Sequence, residues 1–303
     1  MEEYSIFHER YKLEKLLGKG AYSEVWLAHD EKTDIEVALK IFAPSTGLDD
    51  VGLQMFAHEF SLVVNVSDAN ILKPLFYDSY ERKPYLVLPY CRQGSIKRKI
   101  GETTEDEAWT IMLDVARGLK SLHSQEPPII HQDIKPDNIL IADDGHYKIT
   151  DFGVSTKVHS TLRKSIGLEL TSAGTSAYMA PERFSRQNTP IMPNDIWSLG
   201  SMVYELLTGE VPFAGNGVVE GGLLQKSGAE IPELPGKLSS ELRKTIESCL
   251  ALLPYNRPTA EQLEEICSKR KAPVNNNKNK LYFLYVLVAI LGIACGAILR
   301  III

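Results

Sequence analysis

The chain has 303 residues, 44% of them hydrophobic, and a formal net charge of −6, which suffices to build one large core or two lobes and excludes a disordered chain. Six of the 33 Lys and Arg residues lie after Glu265, and none of the 39 Asp and Glu residues do. The first 268 residues are therefore left at −12, so no nucleic-acid partner is expected for that acidic body. Cys91, Cys249, Cys267 and Cys295 show no paired spacing, which argues against a zinc site or a disulfide framework and for a reducing compartment.

In chain order, residues 1–10 read as an extension whose acidic start, Met1-Glu2-Glu3-Tyr4, has no apolar run, so no ordinary secretory signal is expected. Residues 11–43 alternate apolar and polar positions around Gly18, Gly20 and the Asp30–Asp34 turn, predicting a meander of strands. Leu53, Phe56, Phe60, Val63 and Val64 recur at steps of three and four and predict a helix over 49–66, with Asp49 or Asp50 as its N-cap. A short strand is expected at Tyr85–Tyr90. From about Thr104 the pattern is helical, as in Trp109, Met112, Leu113, Ala116, Leu119 and Leu122. The expected fold class is α+β and bilobal: a small, strand-rich N-lobe with one helix over about 11–90, and a larger helical C-lobe over about 91–268.

Residues 269–280 are basic and polar, with Pro273 and Asn275-Asn276-Asn277, and read as a flexible linker. Leu281 to Leu299 then runs for 19 residues without a charge, which as a helix at about 1.5 Å per residue spans roughly 28 Å, close to the hydrocarbon thickness of a bilayer. Residues 281–303 are therefore expected to form a transmembrane helix. Five cations precede the apolar run and place the body on the cytoplasmic side of the membrane. Gly292 and Gly296 form a GxxxG on which weak self-association could rest.

Three motifs carry chemistry. Gly18-Lys19-Gly20-Ala21-Tyr22-Ser23-Glu24-Val25 lies between apolar segments, and a turn of small residues lets backbone amides approach phosphates; Ser23 stands where a third glycine is usual. Lys40, in Val37-Ala38-Leu39-Lys40, falls on the next strand, and Glu59 on the following helix is its candidate ion-pair partner. His131-Gln132-Asp133-Ile134-Lys135-Pro136-Asp137-Asn138 is followed 13 residues beyond Asn138 by Asp151-Phe152-Gly153, which supplies two carboxylates and an amide oxygen, groups that suit hard divalent cations.

At this spacing the chain resembles the eukaryotic-type Ser/Thr protein kinases over about residues 11–268. That resemblance implies ATP and Mg²⁺, with Mn²⁺ as an alternative ion, and a protein substrate bearing a Ser or Thr acceptor. Asp133 would accept the proton of the substrate hydroxyl, Asn138 and Asp151 would hold the metal, and Lys135 would neutralise the γ-phosphate. The resemblance places Leu17, Val25 and Ala38 on the roof of an adenine pocket and Leu140 on its floor, with Leu88 as gatekeeper and Pro89-Tyr90-Cys91 as the hinge. Ala180-Pro181-Glu182 would close the activation segment, with Arg257 pairing that glutamate. Asp195-Ile196-Trp197 resembles the helix that anchors the catalytic loop, and Thr175 would lie near Lys135 and Asp133.

The chain departs from the common pattern at Gln132, where many kinases carry an arginine that binds a phosphorylated activation loop. A neutral glutamine cannot pair bidentately with phosphate, so control through that contact is not expected. The alternative to an active kinase is a nucleotide-binding pseudokinase or membrane-tethered docking scaffold, for which only Gln132 and Ser23 speak.

Overall fold

The computed structural model describes residues 1–20, 23–43, 45–151, 175–184, 189–213 and 229–270. The alternation in the first half of the chain becomes an antiparallel sheet of six strands: β1 (Ile6–Phe7), β2 (Tyr11–Lys19), β3 (Ser23–Asp30), β4 (Ile35–Phe42), β5 (Phe76–Tyr80) and β6 (Lys83–Pro89). Their order is β1-β2-β3-β4-β6-β5. Successive side chains point to opposite faces of a strand, and the two faces of β4 bury different cores. Val37, Leu39 and Ile41 pack with Trp26, Ala28, Tyr85 and Val87 on one side. Ala38 and Phe42 pack with Leu86, Leu88, Phe56 and Phe60 on the other.

The second of those faces is covered by α1 (Asp50–Val64), which Asp49 starts by accepting the Gly52 amide at 2.7 Å. The predicted apolar stripe anchors it: the Phe60 and Phe56 rings stack on Tyr77 at 4.7 and 5.6 Å, and Phe56 meets Phe42 edge-on at 4.6 Å. Strands β1 and β5 are additional to the expected meander. The first has two residues, and the second is an edge strand with little burial, so neither leaves a period of two in the sequence.

The second half is helical around α2 (Glu105–His123) and α3 (Met192–Thr208), with α4 (Ser240–Cys249) and α5 (Ala260–Lys269). Thr104 caps α2 by accepting the Glu107 amide, and Glu105, Asp106 and Glu107 sit favourably against the positive end of the helix dipole. Nearly every residue of α3 is buried, which makes it the centre of this lobe. A small hairpin, β7 (Ile139–Ile141) with β8 (Tyr147–Ile149), lies against α2. Gly118 permits that approach, since a Cβ there would stand 2.7 Å from the Ile149 side chain and 2.9 Å from the Asn70 carbonyl. The hairpin brings Thr150 and Asp151 out beside the catalytic-loop motif.

Residues 1–267 form one compact unit of two lobes, strand-rich and then helical. The linker and membrane-span expectations beyond residue 270 lie outside the described residues. Among the described residues no helix is long and apolar enough to cross a membrane.

One ion pair ties the outer edge of the sheet together. Arg10 donates from Nε and Nη2 to the two oxygens of Asp30, at 2.8 and 2.7 Å, and Thr33 and the Lys32 amide complete the shell of this buried carboxylate. The Arg10 hydrogen bonds hold the Asp30 carboxyl well below its usual range, although burial opposes them. Because the folded pKa is depressed, the stabilisation is present above the ordinary carboxylate pKa of about 4 and is lost as pH falls below it. Arg10→Met is expected to cost about 1–3 kcal/mol at neutral pH. It should also flatten the loss of stability below about pH 4, read as Tm against pH.

Candidate active site

The register of β3, β4 and β6 builds one wall. Val25 pairs with Lys40, Leu27 with Ala38, and Ala38 in turn with Leu88, so Val25, Ala38, Lys40 and Leu88 project from one face. Cys91 and Leu140 join Val25, Ala38 and Leu88 in one apolar cluster. Burial pushes the Cys91 thiol above its usual range, so it contributes as a small apolar group and not as a nucleophile. Pro89 pairs with Val37 and therefore projects to the opposite face, leaving its backbone as the part that could meet a ligand.

Leu17 and Glu24, both expected around a nucleotide, stand outside that apolar cluster. Leu17 is the extra residue of a bulge between the Leu16–Trp26 and Gly18–Val25 pairs, and it stays 40% exposed and outside the apolar cluster. Glu24 sits one residue from Val25 and so faces the other way; its buried carboxylate takes Lys19 at 3.1 Å and the Trp26 indole at 3.2 Å. Lys19 and Glu24 thus pair with each other through their side chains. Gly18 and Gly20 frame the turn, where the Gly20 amide donates to the Ser23 carbonyl at 2.8 Å. Ala21 and Tyr22 lie outside the described residues.

Lys40 reaches Asp151 at 2.6 Å. The Glu59 side chain, its expected partner, lies outside the described residues, as do Phe152, Gly153, the segment through Gly174 with its hydroxyls, and the Thr175 side chain. Burial alone would raise the Asp151 carboxyl. The Lys40 ammonium outweighs it through charge and hydrogen bond, with smaller help from Lys135, and holds the group below the usual carboxylate range. Asp151 is therefore an anion at neutral pH.

The catalytic-loop motif is assembled around Asp133. Asn138 donates from Nδ2 to the Asp133 carbonyl at 2.7 Å and to its Oδ2 at 2.9 Å, while Lys135 reaches the same Oδ2 at 2.9 Å. Asp133 Oδ1 is buried and has no hydrogen-bond partner among the described residues. Leaving a buried carboxylate oxygen unpaired is costly, which marks Oδ1 as an acceptor for something that binds. Because Asn138 spends its nitrogen on Asp133, its amide oxygen remains the atom suited to a hard cation. Asn138 and Asp151 together offer two oxygen ligands, which suits Mg²⁺ shared with a nucleotide's phosphates better than an all-protein cage.

The loop is held from beneath. Asp195, buried on α3, accepts the His131 amide on Oδ2 and the Gln132 amide on Oδ1, each at 2.8 Å, and meets His123 Nε2 at 2.9 Å. Nδ1 of His131 accepts the Asp133 amide at 3.2 Å, and Nε2 lies 3.0 Å from the Thr150 carbonyl, which fixes the Nε2–H tautomer. Gln132 has φ +67° and Asp151 φ +64°, left-handed conformations that cost non-glycine residues on the order of 1–3 kcal/mol each. Such strain persists only where the surroundings over-determine it, and at Gln132 the Asp195 clamp does so.

Beyond the loop, Glu182 accepts from Arg257 Nη1 and Nη2 at 2.7 and 2.9 Å and from Asn194 at 2.5 Å. The Arg257–Glu182 pair is where the motifs place it. Arg183, which no motif singled out, donates from Nη2 to the Gln132 side-chain oxygen at 3.1 Å.

Residues 11–266 match the family described as the protein kinase domain. The chain is 28% identical to the CBL-interacting serine/threonine-protein kinase 10 of Arabidopsis thaliana, over 88% of its own length and 55% of that protein's. It is 30% identical to the CBL-interacting protein kinase 14 of Oryza sativa subsp. japonica, over 89% of this chain and 61% of the other. A bacterial relative, the probable serine/threonine-protein kinase PknB of Bifidobacterium longum, is 34% identical over 69% of this chain and 32% of its own. With a strand-rich lobe, a helical lobe and this site between its motifs, the chain belongs to the protein kinase domain family. It spans little more than half the length of the plant relatives it matches.

Proposed function

We propose that the chain is an ATP-dependent Ser/Thr protein kinase. The observation that carries this reading is the buried Oδ1 of Asp133, which has no hydrogen-bond partner among the described residues while Lys135 and Asn138 hold Oδ2 of the same carboxylate. Asp133 accepts the proton of the attacking hydroxyl as its oxygen bonds to the γ-phosphorus and the bond to the β–γ bridging oxygen breaks. Lys135, already at Asp133, carries positive charge to the transferred group, and Lys40 does so for the phosphates behind it. A Mg²⁺ bound by Asn138 and Asp151 would add charge neutralisation at the β- and γ-phosphates. Val25, Ala38, Leu88 and Leu140 supply an apolar slot for the base, and the Gly18–Gly20 turn lays backbone over the phosphates.

Incubation of the full chain with labelled ATP, Mg²⁺ and a generic protein substrate should give phosphoserine or phosphothreonine on acid hydrolysis. Phosphotyrosine alone would reverse the acceptor assignment, and no transfer would favour a docking role. The uncharged run at 281–299 and the cations before it support a membrane-tethered enzyme with a cytoplasmic catalytic domain. The full chain should then resist alkaline carbonate extraction, and a version ending at residue 270 should be released; release of both would remove the anchor.

A further inference from the structure

Gln132 sits immediately before Asp133, in a strained left-handed conformation, with its amide hydrogen taken by Asp195. Its side chain is not idle. Oε1 accepts a hydrogen bond from Arg183 Nη2 at 3.1 Å, and Nε2 approaches the Ile130 carbonyl at 3.5 Å. Arg183 belongs to the short 3-10 turn Pro181–Phe184, and that turn is immobilised one residue earlier, where Glu182 meets the fully buried Arg257 and Asn194. Among the described residues, the charges of Asp195 and Glu182 reach Arg183. The guanidinium is half-buried, and its desolvation lowers its pKa against their pull; an arginine stays charged through such a shift.

We infer that Arg183 is a positioning residue for phosphate transfer: from the rigid turn after the activation segment it clamps the Gln132 side chain and thereby fixes the rotation that aims Asp133, without any phosphorylated residue. This rests on the kinase reading above. Asp195 holds the backbone of residues 131–132 and Arg183 holds the side chain of 132, so the residue that precedes the proton acceptor is gripped from two elements. The clamp also accounts for a glutamine at this position. An arginine at 132 would bring a second cation within hydrogen-bond distance of Arg183, which only an intervening anion could relieve, whereas a neutral amide oxygen accepts the donor directly.

The test uses the full chain and reads kcat, KM for ATP and amide hydrogen exchange over residues 131–138. Arg183→Ala and Gln132→Ala are each expected to lower kcat about tenfold, with KM for ATP unchanged, the scale of one lost hydrogen bond to a charged group. The double variant should be no worse than either single one. Gln132→Arg should also lose about tenfold, and combining it with Arg183→Gln, which exchanges donor and acceptor, should recover most of that loss. Exchange over 131–138 should quicken in Arg183→Ala, and phosphatase treatment of the unmodified chain should leave kcat unchanged. A roughly hundredfold, additive loss in the double variant, no recovery in the exchanged pair, or a large phosphatase effect would overturn the clamp. If the unmodified chain transfers no phosphate yet Arg183→Ala quickens exchange, the kinase reading fails and takes the positioning role with it, and only the grip of Arg183 on the loop stands. If transfer is present but kcat and exchange are unchanged in Arg183→Ala, the clamp fails alone.

Discussion

Asp133→Asn is expected to lower kcat about 10²–10⁴-fold, the usual contribution of a positioned acid or base, while nucleotide binding survives. The substitution keeps the shape of the group that Asn138 grips through the main-chain carbonyl at 2.7 Å, so the loop retains that tether. What disappears is the anionic character of Oδ1, the buried oxygen with no described partner. An amide there cannot take the proton of a hydroxyl nucleophile. The apolar cluster that holds Val25, Ala38, Leu88 and Leu140 does not involve the Asp133 side chain and is untouched. Titration of Mg-ATP binding by intrinsic fluorescence, alongside steady-state transfer to a protein substrate, separates the two effects. Activity within a few-fold of the unmodified chain would remove Asp133 from the role of base, and loss of nucleotide binding would make its role structural.

The two-lobed division was legible because both halves carry strong periods: two around Val37–Ile41, where each face of β4 finds its own core, and three to four in α1 and α2. The charged cluster was legible for another reason. Asp133, Lys135, Asn138 and Asp151 lie close in sequence, on a loop and on the exit of a two-stranded hairpin, so their spacing survives folding with little room for error. Where individual side chains of the glycine-rich stretch point was harder to read, for local reasons. One extra residue in β2 turned Leu17 toward water, and strict alternation sent Glu24 behind the sheet. The Lys40–Asp151 contact joins residues 111 positions apart, so it was not legible from spacing, while the expected pairing with Glu59 falls outside the described residues. Arg183 was invisible because its meaning depends on a contact 51 residues away, at a position that matches no motif.

Glu182→Ala is expected to cost the fold more than Arg10→Met, Asp133→Asn or Arg183→Ala. Arg257 has no exposed side-chain surface, and all five of its donors are engaged: Nε by the Ala251 carbonyl, Nη1 by Glu182 and Pro193, and Nη2 by Glu182 and Leu252. Its guanidinium also lies 4.9 Å from the centre of the buried Trp197 ring. Removing the carboxylate leaves a buried cation with two donors unmet, and breaking a buried pair from one side costs about 3–5 kcal/mol. For a domain of this size that corresponds to a fall in Tm on the order of 10 °C, measurable by thermal or urea unfolding of the full chain. A loss below about 1 kcal/mol would mean that water reaches Arg257 and replaces the carboxylate. The same substitution frees the turn that presents Arg183, so the stability loss and the catalytic loss should arrive together. In Arg183→Ala, where the Glu182–Arg257 pair is intact, kcat should fall with far less loss of stability, because anchoring the turn and aiming the loop are separate tasks of adjacent residues.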